Sequence, residues 1–174
     1  MRIEYKDICI RDAEVMDCEQ LAIWWNDGKV MEHAGFPNGL DTSAEEIEKQ
    51  IETDSDNTKR RLIIVKGDVS IGEMSYCNLG NNRAGIGIKI CNTDYQEKGL
   101  GRIVLSMLIR ELFRRGYETI QLDTNRKNTR AQHVYEKLGF SRVGIRENCW
   151  RDQLGNLQSA VDYALTQENF MEYR

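Results

Sequence analysis

Long apolar runs are missing from this 174-residue chain. None reaches the length that a helix needs to span a bilayer, so a membrane partner is not expected. Met1-Arg2-Ile3-Glu4-Tyr5-Lys6 lacks the apolar core of a signal peptide, and a cytoplasmic location is expected. Positive charge is not in excess. Lysine and arginine number 24 against 28 acids, a net of −4, which argues against a general nucleic-acid surface. The five cysteines, Cys9, Cys18, Cys77, Cys91 and Cys149, are odd in number and scattered. They match neither a zinc spacing nor a disulfide framework, so reduced thiols and no metal are expected. Pro37 is the only proline, and His33 and His133 are the only histidines. Repeats, linkers and low-complexity segments are also lacking. The length suits one domain over residues 1–174.

What is present is a mixed order of strands and helices. Ile8-Cys9-Ile10-Arg11 reads as a first strand. Asp17 with Gln20 reads as a capping box for a helix through Trp25, and Ser43 with Glu46 as a second, through about Glu52. Between them, Asn26 to Thr42 holds Pro37 and several glycines and reads as a loop. Leu62-Ile63-Ile64-Val65 and Val69 to Met74 flank Gly67-Asp68, a hairpin signal. Asn78 to Asn82 is the next turn. Ile86, Ile88 and Ile90 then alternate with Gly85, Gly87 and Lys89, as in a strand. Val104, Leu108 and Leu112 make a helical stripe that Gly116 can end. Ile120 to Leu122 reads as a strand and Asn128 to Leu138 as a helix that stops at Gly139. Phe140 starts another strand, and Arg151 to Asn156 is a hairpin turn before Ala160 to Leu165. The order argues an α/β domain without regular βαβ alternation.

Gln96-Glu97-Lys98-Gly99-Leu100-Gly101 lies between the Ile86–Ile90 strand and the Val104 helix. A glycine-rich turn that opens a helix leaves several N–H groups without intrahelical partners, at the positive end of the dipole. Such a place binds phosphate. Gly99 and Gly101 lack a Cβ, so a pyrophosphate can come close to the backbone. No stretch supplies a P-loop. The third glycine of a dinucleotide fingerprint is Val104 after Gly99 and Gly101, and Ile90 after Gly85 and Gly87, so that motif fails too. What remains is Q-x-x-G-x-G between a strand and a helix.

Here the chain resembles the GNAT superfamily of acyl-CoA-dependent N-acetyltransferases. Gln96, Gly99 and Gly101 match its signature [RQ]-x-x-G-x-[GA]. Asn128, Ala131, Tyr135, Lys137, Gly139 and Phe140 match a second, N-x-x-A-x-x-x-Y-x-K-x-G-F. The two occur in the family's order, and the element order from Ile8 to Leu165 follows it. Trp24-Trp25-Asn26-Asp27 and the long hairpin near Tyr163 are similar to the branch of ribosomal-protein N-terminal and spermidine acetyltransferases. The resemblance implies a mixed, mostly antiparallel central sheet flanked by helices and splayed between its fourth and fifth strands. It implies acetyl-CoA as cosubstrate. The backbone from Lys98 through Gly99, Leu100 and Gly101 to Arg102 would hold the pyrophosphate beside Gln96. Ile88, Lys89 and Ile90 would pair with the pantetheine arm. A homodimer through the C-terminal hairpin is common in this branch.

Asn128 and Tyr135 are seven residues apart, about 20° around one helix axis. Asn128 is either a ligand of the pantetheine arm or a helix N-cap. Tyr135 is either an aromatic core residue or the acid that protonates the leaving thiolate. Relatives in the spermidine-type branch carry an acid on the fourth strand, where this chain has Gly85-Ile86-Gly87. Glu73 on the third strand and Glu32 in the acceptor-side loop are the substitutes. Trp25 and His33 are candidates to touch the acceptor. From Asp41 to Asp56, seven acids and one lysine sum to −6, either a lure for a cation or the wet face of a helix. The expected acceptor is a small polycation, such as a polyamine or aminoglycoside, or a protein N-terminus. The alternative is an acyl-CoA-binding module without catalysis.

Overall fold

A computed structural model describes residues 1–174. Eight strands form one sheet: β1 (Arg2–Tyr5), β2 (Ile8–Asp12), β3 (Lys59–Lys66), β4 (Val69–Gly80), β5 (Arg83–Ile90), β6 (Thr119–Asn125), β7 (Ser141–Arg151) and β8 (Leu157–Thr166). Their spatial order is β1-β2-β3-β4-β5-β6-β8-β7. Every neighbouring pair is antiparallel except β5 with β6. Five helices accompany them: α1 (Cys18–Trp25), α2 (Gly28–Met31), α3 (Ala44–Glu52), α4 (Leu100–Arg114) and α5 (Thr129–Lys137). No helix is long and apolar enough to cross a membrane.

The period of two along the strands sorts side chains onto two faces. Leu62, Ile64, Met74, Tyr76 and Ile86 join the larger core of 25 buried residues with α4 and α5. The stripe Val104, Leu108 and Leu112 is fully buried there. Ile63, between Leu62 and Ile64, points the other way and joins a cluster of eight with Trp25, Leu21, Met31 and Ile47 from α1, α2 and α3. The sheet therefore carries two separate apolar layers.

Most expected elements are present, with four differences. β1 precedes the strand read as first, pairing Ile3 with Ile10 and Tyr5 with Ile8. The expected splay therefore falls between β5 and β6. Asp17 does not cap α1 through its side chain. Its carboxylate instead forks onto Arg11 at 2.7 and 2.8 Å and accepts from the Glu14 amide at 2.8 Å. The Asn26–Thr42 loop contains α2 and a short 3₁₀ turn at Glu32–Ala34. β4 and β7 run longer than read, with Asn81 and Asn82 making the β4–β5 turn at φ 51° and 55°. Both take the left-handed values of a tight hairpin turn. The Ser43–Glu46 capping box forms as read.

Gly139, the glycine of the second signature, follows α5 at φ +95°. A Cβ there would lie 1.9 Å from the carbonyl oxygen of Asn169. Gly139→Ala is therefore expected to cost more than the ~1–2 kcal/mol of a left-handed backbone alone. Urea unfolding of the variant checks this, and a midpoint equal to the parent's would contradict it.

Candidate active site

β5 and β6 pair only at Arg83–Thr119, Ala84–Ile120 and Gly85–Gln121. Beyond Gly85 they part, while β5 stays in register with β4 as far as Ile90. A cleft of about 960 Å³ fills the gap. Ile88, Lys89 and Ile90 line it, and this edge of β5 has no neighbouring strand. Alternate N–H and C=O groups along such an edge can pair with an extended ligand. Gly85 and Gly87 are explained by packing. An added Cβ would meet Cys77 Sγ at 2.9 Å and Ser75 Oγ at 3.2 Å on β4.

The glycine-rich turn opens at the wide end of this cleft. Glu97 and Gly99 take left-handed φ values of 59° and 73°, which turn the chain into α4. The amides from Lys98 to Arg102 donate to no acceptor in the chain. An added Cβ at Gly99 or Gly101 would meet nothing within 4 Å. That space is open on the ligand side. Gln96 lines the cleft, and its Nε2 donates to Ile90 O at 2.8 Å, bracing the turn against the end of β5. Leu100 and Arg102 line the cleft, but the Lys98 side chain does not, and its ammonium sits 5.7 Å over the Tyr95 ring. Arg102 is stacked 3.6 Å over Tyr173.

α5 faces the turn across the cleft. Asn128 is its N-cap, accepting from the Ala131 amide at 3.2 Å, and it lines the cleft as well. Both readings of Asn128 are compatible, since its Oδ1 caps while its Nδ2 has no acceptor. Two turns further, Tyr135 is 6% exposed and held edge-on by Tyr163 and tilted against Phe140, with ring centroids 5.6 and 5.9 Å away. It lines the cleft, and its hydroxyl is not a buried atom lacking a partner. Burial, then the charge of Asp123, then Tyr163 raise its pKa above the ordinary 10.0. It is a proton donor throughout the neutral range.

Asp123 was not singled out in the sequence. It stands on β6, on the face opposite to Leu122, and lines the cleft. Arg146 of β7 donates to it at 2.8 Å and grips Asp162 at 2.8 and 2.9 Å. Only long-range pairing brings these three together, so no local pattern marks them. Glu73 is less available. Its Oε1 accepts from Trp25 Nε1 at 3.0 Å and Lys89 Nζ at 3.1 Å, and its side chain is 12% exposed. It lines a smaller cavity and not the main cleft. Trp25 is correspondingly a core residue. It borders a smaller cavity behind β5, not the main cleft. Glu32 and His33 are exposed on the cleft wall, 3.9 Å apart. None of residues 41–56 lines the cleft. Glu46 serves the capping box, Asp54 pairs with Arg61, and Asp56 with Arg60.

A sequence profile described as Acetyltransferase (GNAT) domain matches residues 7–141. The bS18-alanine N-acetyltransferase of Escherichia coli is 47% identical over 55 residues, 32% of this chain and 37% of that one. The match thus spans little more than a third of that relative's length. The Haemophilus influenzae enzyme of that name is 33% identical over 102 residues, 49% of this chain and 69% of that one. Among solved structures, a ribosomal L7/L12 α-N-protein acetyltransferase in complex with coenzyme A superposes with a TM-score of 0.83. It is 18% identical, over 95% of this chain and 98% of that one. The spermidine N-acetyltransferase of Vibrio cholerae in complex with CoA and spermine gives a TM-score of 0.81. It is 21% identical, over 94% and 97% of the two chains. With the parted strands, the free amides of the turn and the profile covering residues 7–141, the chain belongs to the GNAT acetyltransferase family.

Proposed function

We propose that this chain transfers the acetyl group of acetyl-CoA to a primary amine, by direct attack within a ternary complex. The observation that carries the proposal is the meeting of three features in one cleft: the unpaired β5 edge, the free amides from Lys98 to Arg102, and the Tyr135 hydroxyl. The space over Gly99 and Gly101 fits a pyrophosphate held by those amides. Asn128 and the edge from Ile88 to Ile90 suit the pantetheine arm. Acetyl-CoA, when bound, supplies an activated thioester. The β5 N–H groups then stabilise charge on its carbonyl oxygen, and Tyr135 gives its proton to the departing sulfur. The acceptor must lose a proton to attack. Asp123, exposed at the cleft and hydrogen-bonded to Arg146, is the carboxylate best placed to take it, directly or through water. Glu32 remains on the acceptor wall, whereas Glu73 orients Trp25 and Lys89.

The acceptor class follows from the wall. Glu32 and Asp123 are balanced there by Lys29 and Arg146, and the acidic run of α3 lies elsewhere. A wall of balanced charge does not select a polycation. We therefore place the α-amine of a peptide ahead of a polyamine or aminoglycoside. Two ribosomal-protein acetyltransferases among the similar proteins, those for bS18 alanine and L7/L12, fit this order.

Free-thiol release from acetyl-CoA with a panel of short peptides, polyamines and aminoglycosides tests the proposal. Peptides are expected to turn over fastest, with a kcat/KM that changes less than threefold between low and physiological salt at saturating acetyl-CoA. Absence of thiol release with every amine would leave a binding module instead. Gly101→Val is expected to weaken acetyl-CoA binding at least tenfold, about 1.4 kcal/mol, in calorimetry. Unchanged affinity in the folded variant would remove the turn from the binding site.

Tyr135→Phe keeps the ring packing and removes only the acid. It is expected to lower kcat by roughly 10²-fold or more at nearly unchanged acetyl-CoA affinity. Because the Tyr135 pKa is raised above 10.0, its acid form persists as pH rises. The rate should climb as the acceptor amine loses its proton and then stay level to about pH 10. A fall centred below pH 9 that is present in both the parent and Tyr135→Phe would assign the acid to another group, and full activity in Tyr135→Phe would return Tyr135 to packing.

A further inference from the structure

The acceptor wall is a loop whose Phe36 and Leu40 pack on the smaller apolar cluster. Its two ends are well fixed. Asn26 and Thr42 exchange hydrogen bonds at 2.9 and 2.8 Å, and the Leu40 amide donates to Trp25 O at 2.8 Å. Its middle is different. Within residues 32–39, every hydrogen bond to a segment outside 31–39 comes from Gln153. The Gln153 amide donates to Gly35 O at 2.8 Å, its Nε2 donates to Gly39 O at 2.9 Å, and its Oε1 accepts from the Asn38 amide at 2.9 Å. Trp150 adds a contact on the same hairpin. A Cβ on Gly35 would lie 2.4 Å from its ring.

Gln153 is itself firmly held at the tip of the β7–β8 hairpin. Asp152 closes that turn by accepting from the Leu154 and Asn156 amides at 2.9 Å. Its other oxygen accepts from Gln158 at 2.9 Å, and Gln158 accepts from Asn125 on the cleft at 3.1 Å. A continuous polar chain thus runs from the floor of the cleft to the far side of the acceptor loop. Rigid supports of this kind set the position of groups they do not touch.

We propose that Gln153 is a positioning residue for acceptor binding. By clasping residues 35–39 it holds Glu32 and His33 opposite Asp123 and so sets the width of the acceptor entrance. The thioester side of the cleft, built by β5, α4 and α5, does not depend on it. This rests on the acetyl-transfer reading above, and part of its test does not.

Two full-length variants separate the outcomes. Gln153→Met keeps the length of the side chain and removes both of its hydrogen bonds. Gln153→Glu keeps an acceptor for the Asn38 amide and loses the donor to Gly39. Amide exchange by nuclear magnetic resonance is read first and needs no activity. The Asn38 amide is expected to exchange at least tenfold faster in Gln153→Met and within about threefold of the parent in Gln153→Glu. Trp150 should become more open to acrylamide quenching in Gln153→Met, with the melting temperature little changed. In turnover, the acceptor KM is expected to rise at least fivefold in Gln153→Met, with kcat and the acetyl-CoA KM within twofold. Unchanged Asn38 exchange would overturn the clasp. Faster exchange with an unchanged acceptor KM would overturn its role in acceptor binding. A parent inactive with every amine would instead sink the acetyl-transfer reading, and the acceptor role with it, while the exchange result would still report on the clasp.

Discussion

The parting of β5 from β6 is the constraint from which the rest of the site follows. Parallel strands need a crossover, and here it is α4. That helix must begin where β5 ends. Its N-terminus and the widening gap therefore arise at the same place, outside the carboxyl end of a strand, where open α/β sheets place their ligands. The opening is inexpensive because each parted strand keeps a full ladder on its other side. β5 pairs with β4, and β6 pairs with β8 over all seven of its residues. Of the turn whose amides go unused, Gly99, Leu100, Gly101 and Arg102 line the cleft. The one buried polar side-chain atom without a partner is Asp12 Oδ1, which belongs to β2 and not to the cleft.

Charge in this protein is mostly structural. The Asp17 carboxylate fixes the entry of α1 through Arg11, and Asp54 with Arg61 ties the end of α3 to β3. Asp56 receives the buried Tyr76 hydroxyl at 2.6 Å. Such paired acids contribute little long-range field, since each has a cation or donor beside it. At the cleft the pattern is different. Asp123, which lines the cleft, and Asp162, which does not, share a single arginine, so neither carboxylate has a cation of its own.

Local sequence carried much of this. The two signatures, the Ser43–Glu46 box, the α4 stripe and the glycine at the end of α5 are short-range features, and short-range physics builds them. Asp17 was legible as a helix-start residue, but Arg11 from the preceding strand competes for its oxygens, and tertiary pairing wins over capping. Gln96 was read as part of a phosphate cradle; it lines the cleft, and its side chain braces the turn, because the adjacent strand end offers it a carbonyl. Trp25 was read as an acceptor contact and is core, since Glu73 from a strand 48 positions away receives its indole N–H. Asp123 and Gln153 were not legible. Asp123 gains meaning from Arg146 on another strand, and Gln153 from a loop over 110 positions earlier in the chain. No window of neighbouring residues contains either relationship.

The two apolar layers differ in size by a factor of about three, 25 buried residues against eight. The large one supports the side proposed to hold the thioester, a task that is the same for any acceptor. The small one supports α1, α2 and the loop that faces the acceptor. Substitutions that reshape the acceptor side therefore draw on a separate and modest reservoir of packing, and leave the other layer's contacts in place. Such a division lets acceptor preference drift over generations without loss of the shared chemistry. It also limits how far the drift can go in one step, because eight residues provide little reserve against a poorly packed intermediate.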